Sequence, residues 1–127
     1  MPVRVATSLP ASGGLRRAAR WDGIFPVRLP QRIVDGAAIT ALDWAEWWLS
    51  PPDFVALKAE LASLRTAIRP FDVLASGRVA YRPAAAAARA DVAAYAAAGV
   101  SWWCEWVDEA SGTFDASLAA IERGSPR

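Results

Sequence analysis

Strand-like and helix-like runs alternate four times along this chain of 127 residues, and no other feature constrains its fold as much. The first strand reads as Val3–Thr7, a short β-branched run opened by Pro2. Ser12, Gly13 and Gly14 read as a flexible turn with a candidate N-cap. Leu15–Arg20 follows as a short helix with Leu15, Ala18 and Ala19 on one face. Asp22-Gly23 breaks it, and Gly23–Phe25 forms the second strand, ended by Pro26. The segment 27–50 is the least regular. Within it, Ile39–Leu49 predicts a short helix carrying Trp44, Trp47 and Trp48 at i, i+3 and i+4. Two readings stay open for these indoles: cover for a core edge, or a lid or subunit contact.

The second half repeats the pattern. Ser50-Pro51-Pro52-Asp53 resembles a capping box with proline at the first helical position. Phe54, Leu57, Leu61, Leu64 and Ile68 then form one apolar stripe, and Pro70 closes the segment. Phe71–Ser76 is the third strand, ended by Gly77. Pro83 opens an alanine-rich helix to Ala98 with Val92 and Tyr95 on its buried face. Gly99 is placed to be its left-handed cap. Val100–Val107 is the fourth strand, and its apolar density predicts burial on both faces. Thr113–Arg123 is a last helix with Phe114, Leu118 and Ile121 on one face and Gly124 as its stop.

Strand-helix alternation means an α/β fold with a parallel sheet and right-handed crossovers. A small doubly wound sheet fits. So does part of a TIM barrel, whose eight units take about 250 residues. Four consecutive βα units in this length amount to a half TIM barrel. The expectation is a single partial-barrel domain over 1–127 with an irregular, tryptophan-containing insertion at 27–50.

Composition narrows the chemistry. The chain has no histidine and one cysteine, Cys104. An internal disulfide, zinc sites and His-dependent nucleophilic catalysis are therefore excluded within it. The formal charge is +1, and the arginines are not interleaved with aromatics, so no nucleic-acid partner is expected. No uncharged apolar stretch reaches the roughly eighteen residues of a membrane span. The opening residues lack the apolar core of a signal peptide, so a cytoplasmic location is expected.

Few residues offer chemistry. Gly13 and Gly14 precede a helix whose free amides would attract phosphate, beside Arg16, Arg17 and Arg20; the plainer reading is a turn with solvated arginines. Asp22 reads as a turn former. Glu105 sits inside an apolar strand, sharing a face with Trp103, opposite Trp102, Cys104 and Trp106. It either faces a cavity or pairs with an arginine. Cys104 reads as an inert small core residue.

The runs PVRVA, LRRAARWDGIFP, PFDVLASG, YAAAGVSWWCEWVD and IERGSPR, in this order, resemble the C-terminal part of luciferase-like flavin-dependent oxidoreductases. The resemblance covers almost the whole chain. It implies a TIM-barrel fold and a reduced FMN or 8-hydroxy-5-deazaflavin cofactor, used in hydride transfer or monooxygenation of an organic substrate. It places Ala6, Thr7 and Ser8 in the family's small-residue turn after a strand, and Phe25 and Pro26 just after its D-G turn. With Gly13 and Gly14 these are the expected cofactor contacts. Relatives often carry Gly-Gly where Thr7-Ser8 stands here, so hydroxyls would take the place of close backbone approach. The family's N-terminal half-barrel has no counterpart in the sequence, and no catalytic set is assigned. The other expectation is a non-catalytic structural or interaction subunit, which pairs with itself or with a separate N-terminal half-barrel.

Overall fold

Strand β1 spans Arg4–Leu9, later and longer than the predicted Val3–Thr7. The computed structural model describes residues 1–10, 12–36, 44–78, 84–107 and 113–124. Helix α1 spans Ser12–Ala18. Ser12, Gly13 and Gly14 are thus its first turn, not a flexible link. A contact accompanies this: a Cβ on Gly14 would run into Thr7 Oγ1, so only glycine lets the helix start this close to β1.

Strand β2 spans Gly23–Arg28 and runs straight through Pro26, which was expected to end it. Parallel pairing to β1 covers all six residues, from Arg4↔Gly23 to Leu9↔Arg28. The Leu29 amide donates to the Leu9 carbonyl, so alternate amides of β2 face β1 and position 26 faces the other way. On that side, pairing to β3 stops at Ile24↔Val73. The donor that proline lacks is needed by no ladder, which is where proline is tolerated in a strand.

A four-residue helix α2, Gln31–Val34, follows, an element that the sequence pattern did not reveal. Of the predicted Ile39–Leu49 helix, residues 39–43 and the Trp44 side chain lie outside the described part. Trp44–Trp47 is a turn of 3-10 helix, and Trp47 and Trp48 are half-buried.

Helix α3, Pro51–Leu64, starts as its sequence predicts: the Asp53 carboxylate accepts from the Ser50 amide (2.7 Å) and hydroxyl (2.5 Å). Phe54, Leu57 and Leu61 are buried. The stripe was drawn one turn too long, because α3 ends at Leu64 and Ile68 is fully exposed. Strand β3, Asp72–Gly77, includes the glycine expected to end it. The Trp103 indole lies against Gly77, where a Cβ would meet the ring at 2.7 Å.

Helix α4 spans Ala85–Ala97; Pro83, its expected opener, is outside the described residues. Gly99 follows the helix with φ +91°, as a left-handed cap requires. Tyr95 packs on the core, and its hydroxyl donates to the Leu49 carbonyl at 2.9 Å. Strand β4 is only Trp102–Glu105. It is not buried on both faces: Trp102 is 54% exposed. The sheet order explains this, since β4 is an edge strand. Helix α5, Phe114–Arg123, is capped by Thr113 Oγ1, which accepts from the Ala116 amide.

The four strands are parallel, in the order β1-β2-β3-β4. The order never reverses, as it must in a doubly wound sheet. One face carries Val5, Ile24, Val73 and Ala75 and packs on Leu15, Ala18, Phe54, Leu57 and Leu61 of α1 and α3 and on Tyr95 of α4. The other face presents a row of Ala6, Phe25, Leu74 and Trp102 that is half-buried to exposed. Helix α5 turns Phe114 (80% exposed), Leu118 and Ile121 to the outside. No described helix is long and apolar enough to cross a membrane.

Candidate functional site at the C-terminal strand ends

The two ends of the sheet differ in kind. At the N-terminal ends, charged groups are used to hold the chain together. Asp22 accepts from the Val3 amide and pairs with Arg69 at 3.2 Å. Arg4 crosses Gly23 to reach Asp72 at 2.6 Å and lies 5.3 Å above the Trp102 ring. Arg65 stacks on Phe71 at 4.0 Å and donates to the Trp21 and Arg69 carbonyls. The Asp22 side chain, read from the sequence as a turn former, instead ties the bend before β2 to Val3 and Arg69 through long-range contacts.

At the C-terminal ends lies a cleft of about 430 Å³. Leu9 of β1, Leu15, Leu49 and Leu57 make its apolar floor. Arg28, Gln31, Asp53 and Glu60 make its polar rim. Arg28 is the last residue of β2 and pairs with Asp53 at 2.6 Å. Burial pushes the Asp53 carboxyl up, but the Ser50 hydrogen bonds and the Arg28 charge outweigh it and hold the group below its ordinary value. The same strand ends carry Arg78, stacked 5.7 Å over Trp48, and Glu105. Glu105 accepts from the Trp103 indole at 2.8 Å, in line with their expected shared face.

The expected cofactor residues divide between the two faces. Ala6, Ser8 and Phe25 fall on the face away from the helices. Thr7 and Pro26 are buried on the helix side, and Gly14 lies against Thr7. Gly13 has open space around its Cα. The structure therefore brings Ala6, Ser8 and Phe25 together and sets Thr7, Gly14 and Pro26 apart from them as packing residues. Thr7 Oγ1 does not face the same space as Ser8.

Arg28 and Arg78 were not singled out from the sequence. The signal was present: each ends or directly follows an apolar strand run, FPVR and VLASGR. In parallel α/β sheets that position is the functional end. Cys104, half-buried on β4, is a poor nucleophile because burial raises its thiol above the ordinary 9.0. Among the described residues no group of His, Cys, Asp and Glu could hold a metal ion. The cleft offers an apolar floor rimmed by one guanidinium, one amide and two carboxylates. Searches against protein-family models, curated proteins and solved structures returned no match for this chain.

Proposed function

We propose that this chain is the C-terminal half of a luciferase-like TIM barrel, which contributes one wall of an FMN or 8-hydroxy-5-deazaflavin site in an oxidoreductase or monooxygenase reaction. One observation carries the reading: four parallel strands in sequential order, with α1, α3 and α4 packed on one face. That order is what a stretch of barrel wall has, with helices outside and the opposite face turned inward. Ala6, Ser8 and Phe25 would then lie beneath the cofactor, and Arg78, just past the end of β3, would meet its phosphate or a substrate oxygen. The protein's part is positioning, and the redox chemistry is the cofactor's. A cytoplasmic setting goes with this reading.

Titration of the purified chain with FMN, and separately with a deazaflavin, tests it. Trp102 and Trp106 are partly exposed, so a bound flavin quenches their fluorescence and shifts its own absorbance. Binding that weakens in Arg78→Ala agrees with the proposal. Unchanged spectra with both cofactors refute it. A second reading, a non-catalytic subunit that pairs with itself or with a separate N-terminal half-barrel, draws on the exposed apolar stripe of α5.

A further inference from the structure

Three surfaces of the molecule end without a neighbour among the described residues. β1 and β4 are the two edges of the sheet. The face opposite the helices leaves Trp102 54% exposed. Helix α5 exposes Phe114, Leu118 and Ile121, at 80%, 42% and 62%, along one stripe, and buries only Ala120. These share one geometric cause. In a right-handed βα succession each helix lies over the groove between its own strand and the next. Here α1 packs on α3 and α3 on α4, in strand order. Helix α5 follows β4, the last strand in that order, so its stripe has no described strand to cover.

We infer that the missing neighbour is a second copy of this chain, and that two copies close into one parallel barrel with β4 of each beside β1 of the other. Two observations favour this occupant. First, the two edges are complementary: both strands are parallel, and a twofold axis joins each β4 to a β1 with no edge left over. Second, the charges match. In the closed ring α5 of one copy neighbours α1 of the other. Arg16, Arg17 and Arg20 are exposed on and just after α1, with no carboxylate between Ser12 and Arg20. Asp115, Glu122 and Arg123 are exposed on α5, which is net negative. The inward face, half a site in one copy, becomes a lined cavity only with the second.

The inference rests on the half-barrel part of the reading above and not on its cofactor. Sedimentation equilibrium of the cofactor-free chain is expected to give twice 13.6 kDa. A first variant carries Arg16→Glu, Arg17→Glu and Arg20→Glu; a second carries Asp115→Arg and Glu122→Arg. All five side chains are exposed, and circular dichroism checks that each variant keeps the native fold. Each alone puts like charges at both seams and dissociates about tenfold or more readily. Their equimolar mixture has opposite charges at both seams and regains the dimer as a one-to-one pair. Ile121→Glu, on the apolar stripe, gives monomer by an independent route and serves if a charge-reversed chain fails to fold. A monomeric wild-type chain, undiminished self-association of either charge variant, or a mixture that stays monomeric overturns the inference. A chain that is monomeric yet binds flavin sinks the dimer and leaves the functional proposal standing. A dimer blind to flavin does the reverse.

Discussion

Replacing Gly14 by alanine tests whether the close approach of α1 to β1 requires a glycine there. In an ordinary helix the change is favourable by about 1 kcal/mol, because alanine loses less backbone entropy. Here the new Cβ would overlap Thr7 Oγ1 and stand 2.8 Å from Thr7 Cβ. Rotation of Thr7 relieves the first overlap but not the second, since Cβ moves only with the backbone. Thr7 is 8% exposed, so it has little room to turn. Overpacking of this kind costs about 1–3 kcal/mol. With both Thr7 atoms in the way, the upper half of that range applies. The expected net loss is about 1–2 kcal/mol, or roughly 1 M in urea midpoint at a slope near 1–3 kcal/mol per M. Gly13 supplies the control, because nothing lies within 4 Å of its added Cβ. Gly13→Ala is expected to gain about 0.5–1 kcal/mol. Thr7→Ala removes the hydroxyl, so the Thr7→Ala/Gly14→Ala double variant recovers part of the loss as a coupling energy. If Gly14→Ala proves as stable as Gly13→Ala, the packing account of Gly14 is wrong.

Three further perturbations address other parts of the fold. Phe54→Ala, at a side chain 1% exposed, is expected to cost about 3–5 kcal/mol, whereas Ile68→Ala should change urea stability by less than about 0.5 kcal/mol. Asp53→Asn keeps an acceptor for Ser50 but removes the charge that strengthens the cap and pairs with Arg28, and should lose about 1 kcal/mol at neutral pH. Because the folded Asp53 carboxyl titrates below its ordinary 3.8, that stabilisation is present above 3.8 and lost as pH falls through the lower folded value. The wild type and Asp53→Asn should therefore converge when their urea midpoints are compared near and below that pH, and a gap that stays constant would contradict the linkage. Iodoacetamide should modify Cys104 more slowly than a free thiol at neutral pH, since burial raises its pKa; equal rates would show an accessible thiolate.

The alternation of strands and helices was legible because it is written in local patterns. The Ser50–Asp53 box, the Phe54-Leu57-Leu61 stripe and the Gly99 cap need only neighbours in sequence, and all three stand in the structure. The boundaries were less legible, because distant contacts set them. Gly14 is helical on account of Thr7, and Gly77 stays in its strand beneath Trp103. Pro26 is tolerated because β3 has already stopped pairing with β2. For the same reason the candidate contacts were read as one group although the pleat divides them. Alternation along β1 sends Thr7 to the helices and Ser8 to the other face, and only the sheet's pairing says which face the helices take.

What the sequence by itself determined is therefore the α/β class, the parallel succession of units and the lack of histidine chemistry. These follow from short-range spacing and residue type. Only the tertiary structure decided the strand order, which leaves β1 and β4 as edges, and the exposure of Trp102 and of the α5 stripe. Burial is a property of what lies opposite a residue. β4 has no strand on its outer side and the α5 stripe has no described strand beneath it, so an apolar pattern that reads as core in the sequence stands at the surface.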